Sequence, residues 1–113
     1  MEVYVDILLK RAEMVRNWRV YAARVAEAAR AVLPDAKVYV FGSVVRGECT
    51  GGSDVDVLVI SESLPRSGLE RAKIKVKIEE LAGLPPYHPF EVHLADEEEG
   101  GWYLSRVGEL VEF

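Results

Sequence analysis

A glycine-serine pair and two aspartates carry the chemistry that this sequence suggests. Gly42 and Ser43 follow the apolar run 37–41, and Asp54 and Asp56 open a second apolar run after a short interval. A glycine without a Cβ lets a phosphate approach the backbone, where a serine hydroxyl and free amides can bind it. Two aspartates separated by one residue in a strand share a face, so both can bind Mg²⁺ or Mn²⁺. The spacing predicts a joint phosphate and metal site.

Two strands must position these residues. The β-branched and aromatic residues of 37–41 predict a buried strand that stops at Gly42, and residues 54–60 predict a second buried strand. The segment 43–48 predicts a short helical turn that places Arg46 within reach of a phosphate oxygen. A surface pair with Glu48 is the other interpretation of Arg46. The run 51–53 predicts a loop, and Ser53 is expected to stabilise it.

The four motif residues match a known signature. Gly42, Ser43, Asp54 and Asp56 stand at the spacing of the Gly-Ser and Asp-x-Asp elements of the DNA polymerase beta-like nucleotidyltransferase superfamily, and residues 46–48 resemble its usual continuation. Over nearly its whole length the chain is similar to the minimal nucleotidyltransferases (MNT) of that superfamily. The resemblance implies an α/β (α+β) fold, in which helices pack on a small mixed sheet of three or more strands.

The family usually places a third acidic residue on a further strand. Residues 90–94 alternate as a strand, with Glu91 and His93 on one face, and Glu91 is the matching position. The family most often has Asp there, and the extra methylene of Glu91 puts turnover in question. We interpret His93 as a surface or satisfied residue, because isolated strand histidines are more often that than ligands.

The resemblance implies metal-dependent transfer of AMP from ATP to a hydroxyl acceptor. Asp54, Asp56 and Glu91 are the implied catalytic residues and ligands of two Mg²⁺ ions, for which Mn²⁺ can substitute, and Glu91 is the implied base. The implied nucleotide-binding residues are Gly42, Ser43, Arg46 and Ser53.

The acceptor also follows only from the resemblance. Minimal nucleotidyltransferases commonly pair with small helical HEPN proteins, so the resemblance implies an antitoxin that adenylylates a tyrosine of a HEPN toxin. An alternative is a catalytically inactive binding module that neutralises its partner by complex formation. A transferase acting on a small molecule is a third interpretation, weakened because the short chain has no second domain to build a pocket.

Composition limits the remaining classes. The 113 residues, half of them apolar, predict one domain spanning 1–113, and the net charge of −5 argues against general nucleic-acid binding. Neither a membrane span nor a signal-peptide pattern is present, so a cytoplasmic location is expected. Cys49 is the only cysteine and is interpreted as a bystander. Glutamine is absent and Asn17 is the only asparagine, a composition that suits a thermophile.

Three helices complete the prediction. Apolar residues recurring every three or four positions predict one long helix from about Asp6 to Val32, with Trp18 and Tyr21 as core anchors. Residues 67–84 fit either a strand or a helix, and the Gly83 stop favours a helix. Residues 102–111 predict a C-terminal helix preceded by an acidic cap. This last helix either finishes the core or contacts another copy in a homo-oligomer.

Overall fold

Four strands form one mixed sheet in this computed structural model, which describes residues 2–48, 50 and 52–113. The strands are β1 (Lys37–Phe41), β2 (Val55–Ile60), β3 (Phe90–Ala95) and β4 (Leu110–Glu112). Their order is β3-β2-β1-β4, with β1 antiparallel to both neighbours and β2 parallel to β3. The expected mixed sheet with helices is confirmed. The interpretations of Cys49 and Gly51 fall outside the described residues.

The first helical region contradicts the prediction of one helix from Asp6 to Val32. It consists of α1 (Glu2–Arg16) and α2 (Trp18–Val32), separated at Asn17, whose φ of −107° and ψ of 34° leave the helical range. The side-chain amide of Asn17 donates to the Glu13 carbonyl at 3.1 Å, beside the backbone bond from its own N–H. Asparagine side chains compete with helical backbone bonds in this way. The predicted anchors Trp18 and Tyr21 are nevertheless buried.

The third helix connects the two parallel strands. The choice of a helix for residues 67–84 is confirmed, because α3 spans Gly68–Leu81. Ser67 caps its start by accepting a hydrogen bond from the Glu70 amide, and Gly83, with a φ of +71°, follows its end. α3 therefore carries the chain across the sheet between β2 and β3.

The C-terminal region corrects the prediction of a helix over residues 102–111. The helix α4 spans Glu97–Arg106 and begins with the expected acidic cap, in which Asp96 and Glu99 form a capping box. Val107 is extended, and Leu110 and Val111 lie in β4, which pairs with β1. A short apolar run fits either a helix or a strand. Here the open edge of β1 decides in favour of the strand.

The two faces of the sheet are covered differently. Val55, Val57 and Val59 of β2 belong to the large core shared with α2 and with Ile78 of α3. Leu58 and Ile60 face the other way, in a smaller cluster that includes Tyr103 of α4. The α4 helix approaches so closely that a Cβ on Gly100 would meet Ile60 at 2.6 Å. None of the helices in residues 2–48, 50 and 52–113 is both long and apolar enough to cross a membrane.

Candidate active site

The strand β2 carries the central carboxylate of the site. Asp56 pairs in register with Phe41 of β1 on one side and with Glu91 of β3 on the other. Residues paired across neighbouring strands project from the same face of a sheet. Asp56 and Glu91 therefore project together, on the face that α4 covers further along the strands. The parallel pairing of β2 with β3 joins the Asp-x-Asp element to the third acidic residue.

The Gly42-Ser43 turn lies on the β1 side of Asp56. Gly42 has a φ of +94°, and a Cβ built on it would come within 2.7 Å of Oδ2 of Asp56. The turn that follows is hydrogen-bonded from the Glu48 amide to the Ser43 carbonyl at 3.0 Å, while no described carbonyl accepts from the amides of Ser43 or Val44. Amides free of internal partners can bind an anion. The turn can thus present donors next to Asp56.

Asp54 precedes β2 and contacts the first helix. The Arg11 guanidinium lies 3.2 Å from Oδ1 of Asp54 and also donates to the Tyr87 carbonyl at 2.5 Å. The Arg11 side chain is 23% exposed, whereas that of Asp54 is 59% exposed. One arginine therefore connects α1, the start of β2 and the loop before β3.

Glu91 opens onto a shallow cavity on the β3 side. The cavity has a volume of about 210 Å³, and its polar lining comprises Asp54, Lys75, Glu79, His88 and Glu91. His88 accepts a hydrogen bond from the Phe90 amide at its Nδ1 and contacts Glu79 through its Nε2. These bonds fix the loop that leads into β3 against α3, and so fix the backbone that presents Glu91.

An imidazole lies on the remaining side of Asp56. His93 Nε2 is 3.3 Å from Oδ1 of Asp56, and because a carboxylate only accepts, the imidazole donates through this nitrogen. The His93 ring packs against both Phe41 and Tyr103, with centroid distances of 5.8 and 5.6 Å. Our interpretation of His93 as a satisfied residue agrees with these contacts, but they also place it directly against the motif.

Two further motif residues make local contacts. Arg46 is exposed and its Nε lies 3.2 Å from Glu48, the surface pair that was the second interpretation of Arg46. The Ser53 hydroxyl accepts from the Thr50 amide at 2.8 Å and so ties the loop before Asp54. Neither side chain contacts Asp54, Asp56 or Glu91 in the described part of the chain.

The sequence matches a known protein family. A family model described as a nucleotidyltransferase domain matches residues 22–88. The chain belongs to this nucleotidyltransferase family. The match includes both motif elements and the cavity residues on α3, and it ends just before Glu91.

Solved structures share the fold of this nucleotidyltransferase. One crystal structure, of a protein classed as a nucleotidyltransferase, has a TM-score of 0.63 at 24% identity and covers 79% of this chain and 92% of its own. Another, from Sulfolobus solfataricus and also classed as a nucleotidyltransferase, has a TM-score of 0.61 at 20% identity, covering 96% and 84%. No curated protein matches the sequence significantly. At these identities the structures support the fold alone.

The donor chemistry of the nucleotidyltransferase suits a hard cation. Asp54, Asp56 and Glu91 offer carboxylate oxygens, the ligands that Mg²⁺ and Mn²⁺ prefer. Asp56 and Glu91 are already register partners, and Asp54 and Glu91 line one cavity. Across residues 2–48, 50 and 52–113, however, no three acidic, histidine or cysteine side chains are close enough to hold an ion. Asp54 pairs with Arg11 at 3.2 Å, so a cation at this site would compete with the guanidinium for that carboxylate.

Sequence reasoning did not find Arg11, Lys75 or His88. Arg11 lies on a helix far from the motif in sequence, and nothing in its neighbourhood distinguishes it from the other basic residues of α1 and α2. Lys75 lies on α3, outside both motif elements, and lines the cavity with Glu91. The alternation that placed Glu91 and His93 on one face was the available signal for His93.

Proposed function

We propose that this protein is a metal-dependent nucleotidyltransferase that transfers AMP from ATP to a hydroxyl acceptor. The proposal rests on one observation. Asp56 has the glycine-serine turn against it on the β1 side and Glu91 in register with it on the β3 side. A phosphate-binding turn and a candidate base thus flank the same carboxylate, as nucleotidyl transfer requires.

Each side of the central strand has its own task in the proposal. The amides of the turn, together with Ser43, bind the terminal phosphates of ATP, and Gly42 lets them approach Asp56. Arg46 and Ser53 are the more distant members of the nucleotide site: Arg46 exchanges Glu48 for a phosphate oxygen, while Ser53 holds the loop before Asp54. The cavity beside Glu91 receives the acceptor.

Asp54, Asp56 and Glu91 would hold the two Mg²⁺ ions, which supply charge neutralisation at the triphosphate and lower the pKa of the acceptor hydroxyl. Glu91 accepts the proton of that hydroxyl while its oxygen attacks the α-phosphorus. The new bond joins the acceptor oxygen to the α-phosphorus, and the bond from the α-phosphorus to the bridging oxygen breaks. AMP is left on the acceptor as an ester, and pyrophosphate leaves with the bonding electrons.

We infer that the acceptor is a tyrosine of a helical partner protein of the HEPN class. This part of the proposal rests on the resemblance to the antitoxin-type minimal nucleotidyltransferases. Two structural features support a protein acceptor. The cavity beside Glu91 is small for a whole ligand but has room for one side chain. In addition, α1 exposes several apolar side chains, namely Val3, Tyr4, Val5, Leu8 and Leu9.

Intact-mass analysis tests the proposed activity directly. The protein is incubated with MgATP and a co-encoded helical partner, and the partner should gain the mass of one AMP group. An Asp54→Asn, Asp56→Asn double variant is the matched control, since it keeps the shape of the side chains while losing both charges. Equal modification by the double variant would show that the carboxylates are not the site. Modification of the nucleotidyltransferase itself, with none on the partner, would reject the partner acceptor.

A binding module without catalysis is the second candidate, and one observation favours it. Asp54 is engaged by Arg11, and the described residues do not bring three metal ligands together. A module would bind its partner equally well with and without MgATP and would leave the mass of the partner unchanged. Binding of MgATP that disappears in the double variant separates the enzyme from the module.

A further inference from the structure

The Arg11 guanidinium contacts two acceptors, one charged and one neutral. Arg11 lies 3.2 Å from a carboxylate that is a proposed metal ligand, and its other nitrogen donates to the Tyr87 carbonyl. The bond to the Tyr87 carbonyl uses a different guanidinium nitrogen from the contact with Asp54, so it does not depend on that carboxylate. The pair is partly open to solvent, because Asp54 is more than half exposed.

We propose that Arg11 exchanges Asp54 for the triphosphate of the nucleotide when the site is loaded, an inference that rests on the proposed function. Before loading, Arg11 competes with the cation for the same carboxylate. After loading, Asp54 binds the cation instead of Arg11. The guanidinium is then free to bind the anionic triphosphate. A guanidinium fork fits phosphate oxygens with two parallel hydrogen bonds.

Other residues do not supply this cation in the observed structure. Arg46 is paired with Glu48, and Lys75 lines the same cavity as Asp54 and Glu91 but forms no described ion pair with either carboxylate. Arg11 is the arginine that contacts a motif carboxylate among the described ion pairs. An arginine of α1 thus joins the phosphate-binding residues, although it belongs to neither motif element.

The exchange predicts effects of opposite sign on two ligands. An Arg11→Gln variant should bind Mn²⁺ alone about tenfold more tightly, because a positive charge next to the ligand has been removed. The same variant should bind α,β-methylene-ATP, at saturating Mg²⁺, about tenfold more weakly, because a charge-assisted bond to phosphate has been lost. A residue that merely supports the fold would weaken both.

Mn²⁺ binding is measured by the electron paramagnetic resonance signal of the free ion, and nucleotide binding by calorimetry. Arg16→Gln is the matched control. Arg16 also lies on α1, and its substitution removes the same charge, but Arg16 makes no contact with Asp54 among the described ion pairs. Both affinities of the control should equal those of the parent. Arg11→Lys, which keeps the charge but lacks the fork, should bind Mn²⁺ like the parent and the nucleotide more weakly. It also carries the test if the glutamine variant does not fold.

The outcomes separate this inference from the proposed function. Weaker Mn²⁺ binding by Arg11→Gln, unchanged affinities, or tighter binding of both ligands would each overturn the exchange. An Asp54→Asn variant that binds Mn²⁺ as tightly as the parent would overturn the metal site itself. Tighter Mn²⁺ binding, weaker nucleotide binding and loss of Mn²⁺ binding in Asp54→Asn together support both.

Discussion

The missing side chain of Gly42 leaves room for the carboxylate of Asp56. A Cβ at position 42 would lie 2.7 Å from Oδ2 of Asp56, closer than real Cβ contacts come, and the φ of +94° already disfavours other residues. The close packing of Asp56 against the turn therefore requires a residue without a side chain at position 42. The glycine permits both the turn and the position of the central carboxylate.

A Gly42→Ala substitution should reduce both stability and binding. The positive φ alone costs about 1–2 kcal/mol for a residue with a Cβ, and the methyl group must also displace Asp56. We expect a lower free energy of unfolding in urea and loss of most Mn²⁺ binding. Gly83→Ala is the matched control, because Gly83 also has a positive φ but has open space around its Cβ position. The control should lose stability and retain Mn²⁺ binding, and equal binding by both variants would contradict the packing argument.

A Glu91→Gln substitution should abolish most of the transfer while leaving the fold intact. Glu91 is exposed at the cavity and keeps its neighbours when its charge is removed. Loss of a general base typically lowers the rate by about 10²–10⁴-fold. The rate is measured in a single turnover with saturating MgATP and partner protein, and the urea midpoint confirms folding. Glu97→Gln, on the exposed start of α4, is the charge control. Full activity of the Glu91 variant would remove it from the mechanism.

A His88→Ala substitution should loosen the loop that presents Glu91. The imidazole accepts from the Phe90 amide at 3.0 Å and contacts Glu79, so its removal takes away the observed partner of this part-buried amide. Such a loss costs about 1–3 kcal/mol. We expect a reduced urea midpoint and faster hydrogen exchange at the Phe90 amide. Unchanged exchange at Phe90 would show that the loop does not depend on His88.

Acid should weaken the turn that follows β2. The pKa of Asp35 is held below its ordinary value of 3.8, chiefly by the hydrogen bond from the Ser61 hydroxyl and then by that from the Glu62 amide. A lowered folded-state pKa means that the stabilisation is complete above the ordinary value and disappears as the pH falls through the folded value. The parent should therefore exceed Asp35→Asn in urea midpoint at pH 7, and the difference should shrink below pH 3.8. A constant difference would exclude this ionisation.

Local signals in the sequence were sufficient for the three longer strands and for α3. The apolar runs and their turn residues depend on neighbours in sequence, and the capping serine and the closing glycine of α3 are local as well. The short strand β4 was predicted as part of a helix, because its pairing with β1 depends on a distant edge. The break at Asn17 was not predicted, because the apolar residues continue at helical spacing through this position.

The motif carboxylates were predictable by type and spacing, whereas their surroundings were not. The alternation in β3 placed Glu91 and His93 on one face, and the parallel pairing then set that face beside Asp56. Arg11 and Asp54 are far apart in the sequence, and no periodic pattern predicts their contact. Its contact arises from the packing of α1, which the sequence pattern did not define.

The parallel pairing of β2 and β3 has a consequence for how the protein acquires its site during folding. Asp56 and Glu91 become neighbours only after α3 has crossed the sheet and β3 has docked. Contacts between residues so far apart in the chain form slowly relative to local ones. A partly folded chain therefore contains every residue of the motif but has no assembled site. Metal binding during refolding should follow the fraction of fully folded molecules, and not the helix content.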